Sequence, residues 1–572
     1  MLANTLNTES AKAQITPNAP ASDIQRGIQP TLPTPTPEIL PPVEDLLPSP
    51  ATPSTSGNVE VLPSELEGTI KVEKFQVEGS TVFSQEKLAD ITKDLTGREI
   101  TFAELLQAAD DVTKLYVDEG YITSGAYIPA NQTFNKEGSI VTIKVVEGSL
   151  ESIEVKGTKR LNPAYVRSRL AIATGKPLNQ KKLLEALQLL QLDPLIKNLS
   201  GELAAGITPG SNILSVKVTE AKTRTAQIKL DNNRAPSIGS FQRQVQLNEA
   251  NLLGLGDGLN IAYANTDGSN SWNASYTLPV NPRNGTLQLN YSDASTKVIE
   301  KPFDVLDIEG NSKEYGITFR QPVIQTPRKE FALGITANRR ESDIGFLESL
   351  IGERLPYPSP GADKDGKTKV STVRFFQDWT QRNTKQVIAA RSEFSLGVNA
   401  FDATINDNGP DGEFISWKGQ GQWVRLLAPE TLLLVRGNLQ FADRALLPSE
   451  QIGIGGQSTV RGYRQDLLLA DNGLISSAEL RYPVVRVPQI KGLLSVTPFI
   501  DFGTAWNNSG SSENLKNNTL ASTGLGLLWQ QNDRLTARLD WGIPLISIDS
   551  NSSKDSWQEN GLYFSIVYTQ SF

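Results

Sequence analysis

The stretch "RLTARLDWG", residues 534–542, alternates with a period of two. Leu535, Ala537, Leu539 and Trp541 fall on one face of an extended chain, and Thr536, Arg538 and Asp540 on the other. "TLQLNYSDA" (286–294) sets Leu287, Leu289 and Tyr291 against Gln288, Asn290 and Ser292. "AQIKLDNN" (226–233) sets Ala226, Ile228 and Leu230 against Gln227, Lys229 and Asp231. Over a short stretch, a water-soluble sandwich would read the same way. Here the alternation runs from about residue 221 to 572 with no long helix. Short connections such as "PVNPRNG" (279–285) alternate with polar excursions such as "GADKDGKTK" (361–369) and "NDNGPDGEF" (406–414). That pattern predicts a transmembrane antiparallel β-barrel, apolar toward lipid and polar toward its lumen. At roughly 20 residues per strand and connection, residues 221–572 hold about 16 strands. Closure leaves no unpaired edge in hydrocarbon.

Residues 69–220 read differently. "TIKVEKFQVEG" (69–79) is a strand ending at Gly79. "SQEKLADITKDL" (84–95) and "TFAELLQAADDVTKLYVDEG" (101–120) have helical periodicity, with Ser84 and Thr101 as N-caps and Gly120 as the stop. "YITSGAYIPA" (121–130) and "SIVTIKVVEG" (139–148) return to strand alternation. The order strand, helix, helix, strand, strand then repeats through "LESIEVKGT", "NPAYVRSRLAIATG", "NQKKLLEALQLLQLD", "IKNLSGELAAGI" and "NILSVKVTEA". Two α+β modules are expected, 69–148 and 149–220, joined at Gly148-Ser149-Leu150. In each, two helices cover one face of a small sheet, which leaves edge strands available.

Residues 1–68 form the first zone. "QPTLPTPTPEILPPVEDLLPSPATPSTSG" (29–57) is too rich in Pro, Ser and Thr to bury a core and reads as an extended linker. The alternative is a ligand for a proline-recognising partner. "MLANTLNTESAKAQ" (1–14) lacks the charged and apolar regions of a signal peptide. Either the chain stays inside the cell, or this is a mature form or a misplaced start; the barrel pattern favours the second.

Composition removes most chemistry. The 572 residues include no His and no Cys, so disulfides, thiolate or imidazole zinc sites and Ser-His or Cys-His catalysis are excluded. Net charge is -8 without a basic block, which argues against nucleic acid. No run of about 18 apolar residues predicts a membrane helix. "DKDG" (363–366) and "DNGPDGE" (407–413) lack calcium-loop spacing, and "GIGGQST" (453–459) lacks the Gly-Lys-Ser/Thr ending of a phosphate loop. Neither an enzyme, a cofactor nor a metal site is expected. Trp272, Trp379, Trp417 and Trp541 are candidates for interfacial girdles.

Two further stretches stand out. "GLYFSIVYTQSF" (561–572) places Leu562, Phe564, Ile566, Tyr568 and Phe572 on one face and ends in an aromatic; Gln570 breaks that apolar row. "GIGGQSTVRGYRQD" (453–466) carries three early glycines and then Val460, Arg461, Gly462 and Tyr463. On pattern alone Arg461 could be an ordinary turn residue. Modules of this order ahead of a barrel, with "VRGY" in a loop, resemble the POTRA-barrel superfamily of outer membranes. Two modules, a Pro-rich N-terminal segment and a barrel of this length resemble more narrowly the two-partner secretion (TpsB) transporters of haemolysin secretion/activation type, over about residues 69–572.

The resemblance implies an outer-membrane location with the POTRA modules in the periplasm. Outer-membrane lipid and the barrel assembly machinery are expected partners, and the final strand, Phe564, Ile566, Tyr568 and Phe572, would be the barrel signal. The "VRGY" loop is expected to fold into the lumen. Arg461 would meet an acidic residue in a strand of pattern F-x-D-x-G, which here is "FIDFG", with Phe499, Asp501 and Gly503. Gly462 would permit the sharp bend, and Gly453, Gly455 and Gly456 would let the backbone turn inward. The implied activity is export of an unfolded TpsA-like secreted partner, captured by a POTRA module and threaded through the barrel. An N-terminal plug helix occurs in relatives, although "SAKAQITPNAPASDIQRGI" (10–28) is poorly amphipathic. The alternatives are a barrel-assembly factor, which commonly has more modules, and a passive porin, which would leave the modules and Arg461 without a task.

Overall fold

The computed structural model describes residues 46–47, 69–130, 132–135, 138–208, 210–407, 409–509, 515, 517–548 and 556–572. Apart from Leu46 and Leu47, the Pro-rich segment and the expected plug region lie outside the described residues.

The first module contains β1 (Thr69–Glu78), α1 (Gln85–Ile91), β2 (Glu99–Thr101), α2 (Phe102–Asp118), β3 (Gly125–Tyr127) and β4 (Ser139–Val146), with sheet order β2-β1-β4-β3. The cap residues act as their chemistry requires. The Ser84 hydroxyl accepts from the Lys87 amide, and Thr101 and Glu104 form a capping box. Gly120 follows α2 at φ +96°, in the left-handed region. Only three residues of 121–130 pair as a strand; the Tyr121 amide instead donates to the Tyr116 carbonyl, continuing the turn after α2. Val72, Phe75, Leu88, Leu105, Val112, Val141 and Ile143 form the core.

The second module contains β5 (Ser149–Lys156), α3 (Pro163–Ala173), α4 (Gln180–Gln191), β6 (Ile196–Ala205) and β7 (Ser211–Glu220), with sheet order β5-β7-β6. Asn162 and Asn179 cap the two helices, and Pro163 occupies the first helical position. Asn179 also clamps the modules together. Its side chain donates to the Glu119 carbonyl at 3.2 Å, while the Gln180 amide donates to the Gly120 carbonyl at 2.8 Å.

The rest is a closed antiparallel barrel. Its first half contains β8 (Arg224–Asp231), β9 (Gln242–Glu249), β10 (Gly258–Asn265), β11 (Ser269–Pro279), β12 (Thr286–Lys297), β13 (Glu309–Gln325) and β14 (Lys329–Phe346). The two-residue β15 (Leu355–Pro356) pairs only with the far end of β14. Then come β16 (Lys367–Arg382), β17 (Gln386–Gly397), β18 (Ile415–Ala428) and β19 (Thr431–Ala442). The small strands β20 (Ile452–Ile454) and β21 (Leu468–Ala470) pair only with each other, outside the wall. The wall continues through β22 (Asn472–Val487), β23 (Gly492–Trp506), β24 (Thr519–Gln531), β25 (Leu535–Pro544) and β26 (Leu562–Ser571). β26 pairs with β8, matching Ile566 to Leu230 and Tyr568 to Ile228, which closes a 16-strand wall.

The period-two pattern decides which side chain faces where. Asp540 is 0% exposed inside, whereas its neighbours Leu539 and Trp541 are 44% and 53% exposed outside. Val245, Leu289, Tyr315, Ile317, Ile335, Phe375, Phe394, Ile500 and Leu525 add to an outward apolar surface too extensive for water. The inner wall carries ion pairs instead. Arg320 meets Glu330 and Asp378, Arg391 meets Asp378 and Glu393, and Arg340 meets Glu314. Trp272, Trp417 and Trp541 stand near the barrel end remote from the modules, where Trp417 stacks on Phe441 at 5.9 Å, and Trp379 stands near the module end.

Candidate functional site

The chain between β19 and β22 leaves the wall at its far end and turns back into the lumen as the β20–β21 hairpin. Apolar residues hold its stem against the inner wall: Ile452, Ile454, Val460, Tyr463 and Leu468 pack with Ile475 of β22, Ala505 of β23 and Leu520 of β24. Three glycines make the tip possible. Gly455, Gly456 and Gly462 have φ of +118°, +96° and +97°, conformations that a side chain disfavours. Gly453 does not contribute a bend; it lies within β20, paired with Leu469. Gly503 makes room for the hairpin, since a Cβ there would stand 2.5 Å from Ile454 Cγ2.

Arg461 sits at the tip, 3% exposed. Its Nε and Nη2 donate to the two oxygens of Asp501 at 2.7 and 2.8 Å, and its own backbone amide donates to Asp501 Oδ2 at 3.1 Å. The fork of the guanidinium matches the carboxylate, which is why Arg suits this position. The Phe499 ring lies beneath, 3.4 Å from Cζ. This contact accounts for an aromatic on the lumenal face of "FIDFG": Phe499 and Asp501 both point inward, while Ile500 and Phe502 face outward.

Most of what surrounds this pair lies outside the two sequence motifs. Arg461 Nη1 also donates to Glu479 at 2.7 Å. Glu479 further accepts from Arg538 Nη2 at 2.6 Å and Arg481 Nε at 3.0 Å, and Arg538 Nε donates to Asp540 at 2.6 Å. The Ser477 hydroxyl donates to Asp501 Oδ1 at 2.6 Å. Ser477, Glu479 and Arg481 are alternate residues of β22, and Arg538 and Asp540 of β25. That every-second-residue spacing of charges marks a lumenal face in the sequence, but which of its residues meets the hairpin is set by strand register. Tyr563 of β26 was hidden on the polar face of the last strand. Its hydroxyl accepts from the Gly462 amide at 3.0 Å and donates to the Tyr463 carbonyl.

Other walls hold the hairpin as well. Arg464 makes a two-pronged contact with Glu300, 2.9 Å for each, in the β12–β13 loop. Glu450, just before β20, accepts two hydrogen bonds from Arg374 of β16 at 3.0 and 2.9 Å. The Tyr463 hydroxyl lies 2.8 Å from the carbonyls of Ala521 and Ile546. In the expected C-terminal signal, Ile566 and Tyr568 face outward on β26, Phe564 rests against Trp557 and Phe241, and the Phe572 amide donates to the Arg224 carbonyl.

The second module is fastened to the opposite rim. Arg160 donates to Glu249 and to the Asn251 carbonyl, and Arg169 donates to Asn284 in the β11–β12 turn at 2.7 Å while lying 3.4 Å over the Tyr165 ring. Burial, then the charge of Asp193, pushes the Tyr165 phenol above its ordinary pKa, so it stays a donor to Asp193 at 2.7 Å. Among the described residues, no group of carboxylates has the arrangement to hold a metal ion. Asp363 and Asp411, in the two acidic loops, accept from nearby backbone amides.

A lipid-facing closed barrel, an inward hairpin clasped by opposite charges and two α+β modules at one rim define a POTRA-barrel transporter of the outer membrane, with the modules in the periplasm. The chain belongs to the family described as "Haemolysin secretion/activation protein ShlB/FhaC/HecB", which matches residues 210–528; a "POTRA domain, ShlB-type" matches residues 70–148. It is similar to the heme/hemopexin transporter protein HuxB of Haemophilus influenzae, 23% identical over 82% of each chain. It is also similar to the outer membrane transporter CdiB of Dickeya dadantii, 23% identical over 75% of each. The solved structure of CdiB from Escherichia coli shares the fold with a TM-score of 0.67 at 19% identity, covering 89% of this chain and 92% of the other.

Proposed function

We propose that this transporter exports one unfolded secreted partner protein from the periplasm by the two-partner route, without performing chemistry on it. The observation that carries the reading is the buried contact of Arg461 with Asp501 and Glu479 inside the lumen. A porin needs no such contact, whereas a conduit for a polypeptide needs a seal that can move. The edge strands β2 and β6 offer main-chain groups to an extended cargo, and strand addition makes few demands on cargo sequence. The cargo then passes a lumen lined with paired charges, and folding outside makes the passage directional. The hairpin shifts to admit it and the Arg461 clasp reforms afterwards, an order–disorder or hinge step of the kind used by other gates. Outer-membrane lipid holds the barrel, and the assembly machinery of that membrane reads Phe564, Ile566, Tyr568 and Phe572 when inserting it.

Deleting the gene and comparing proteins in the culture medium tests this function. Loss of one large exoprotein, restored by the wild-type chain, is the expected result. A general loss of outer-membrane barrels, or an unchanged medium, would overturn it.

A further inference from the structure

The lipid-facing wall of the barrel surrounds its cations differently at its two ends. At the end remote from the modules, outward cations lie opposite carboxylates on neighbouring strands: Lys313 opposite Asp293 and Glu341, and Lys367 opposite Asp343. The connections at that end, 266–268, 298–308, 347–366 and 398–414, carry twelve Asp or Glu against three Lys or Arg. At the module end the balance reverses. Of the six short turns from β11–β12 onward, five hold an exposed cation: Arg283, Arg328, Lys385, Lys491 and Arg534. The sixth ends in Glu430, which is paired with Arg486 at 2.6 Å.

Several of these cations stand just beyond a row of outward aromatic side chains. On the row that carries Phe375, Phe331 lies opposite Trp379, and Lys329, two residues nearer the rim, lies opposite Gln381. Trp423 lies opposite Ile388, and Arg425, again two residues nearer the rim, holds its guanidinium 5.9 Å from the Trp423 ring. Trp529 continues the outward row of Leu525 and Leu527 and lies opposite Leu494, with Lys491 and Arg534 in the adjoining turns. Among the described residues, none of Lys329, Arg425, Lys491 and Arg534 has a carboxylate partner.

We propose that this face is a collar for phospholipid headgroups of the periplasmic leaflet, selective for those with a net negative charge. The collar goes beyond the export function and does not depend on it. Interfacial aromatics mark the level of the headgroups, so a cation one pleat beyond them meets phosphate rather than acyl chain. Long Lys and Arg stems keep their methylenes on the apolar wall while the charge reaches outward. With no carboxylate beside it, each cation keeps its attraction for an anionic surface, and the gain grows with the number of cations. An acidic segment of cargo inside the lumen would not meet this row, which faces the other way. The modules hang from the same rim, so the collar also fixes the depth at which they project.

The test uses the full chain in phosphatidylcholine vesicles that contain brominated phosphatidylglycerol or brominated phosphatidylcholine, with quenching of the native tryptophans as the readout. Trp379, Trp423 and Trp529 stand within the collar and report on its lipids. The wild type should favour the anionic lipid by about threefold or more at low salt, and the preference should shrink at roughly 0.5 M salt. K329Q/R425Q/K491Q/R534Q should bring the ratio close to one. K313Q/K367Q, at the carboxylate-rich end, should leave it at the wild-type value, and gel mobility checks that both variants keep the barrel. Inorganic phosphate should compete no better than sodium chloride of equal ionic strength. Equal affinity of the wild type for the two lipids overturns the proposal, as does an unchanged preference in the fourfold variant. A specific loss in inorganic phosphate also overturns it, because that result marks a site for the free ion rather than a lipid collar.

Discussion

Replacing Arg461 and Asp501 singly and together tests the lumenal clasp quantitatively. Arg461→Ala removes two charge-assisted hydrogen bonds to Asp501 and one to Glu479. The two carboxylates do not suffer equally. Glu479 keeps Arg538 and Arg481, but among the described residues Asp501 keeps only the Ser477 hydroxyl and the residue-461 amide. The loss is therefore close to that of one buried carboxylate stripped of its cation, about 3–5 kcal/mol. That shifts the balance of docked and undocked hairpin by roughly 10²- to 10⁴-fold. Asp501→Ala leaves the guanidinium sharing Glu479 with two other arginines and should lose a similar amount. The double variant removes both charges at once, so its loss should fall short of the sum by about 2–3 kcal/mol. Urea titration of the folded barrel, read by its gel mobility, measures the stability; release of the exoprotein measures export. All three variants should reach the outer membrane and export at least tenfold less. Additive losses within about 0.5 kcal/mol would show that the two charges are not coupled, and undiminished export by Arg461→Ala would show that the clasp has no part in export.

Other sites give narrower expectations. Tyr563→Phe strands the buried Gly462 amide, so the barrel should lose about 1–3 kcal/mol by the same titration with its wall intact. Gly542→Val should be worse than Gly542→Ala, because a Cβ there already stands 2.5 Å from the Gly462 nitrogen; export that is unchanged in both would show that the hairpin tip is not seated there. Glu220 accepts from the amides of Lys159, Arg160 and Leu161, so Glu220→Ala should lower the melting temperature of the second module measurably while leaving barrel gel mobility unchanged. Removing Phe572 should reduce the amount of barrel in the membrane, read by immunoblot, more than it reduces export per inserted barrel.

The barrel was readable because lipid and lumen impose opposite demands on neighbouring residues, and "RLTARLDWG" records both in nine positions. The modules were readable from caps such as Thr101 with Glu104, where a local hydrogen bond marks a helix start. The strand expected across "YITSGAYIPA" shrank to three residues, since the turn after α2 consumes Tyr121 and no local pattern reveals that. Arg461 and Asp501 could be named because "VRGY" and "FIDFG" resemble motifs of the family; pattern alone leaves Arg461 an ordinary turn residue. Glu479, Arg538 and Tyr563 could not be ranked beforehand. Each is one polar residue among many facing the lumen, and only strand register brings it beneath the hairpin. Gly453 neighbours Gly455 and Gly456 and so looks like part of the bend, yet pairing with Leu469 keeps it in β20.

A cryo-EM map of the full chain in a lipid nanodisc, at a resolution that shows side chains, would place both the wall and the hairpin. The expected map shows a closed 16-strand wall in the lipid belt, with the Arg461 guanidinium inside it, forked onto Asp501 and touching Glu479. A wall open between β8 and β26, or a hairpin lying outside the lumen with Arg461 in solvent, would contradict it.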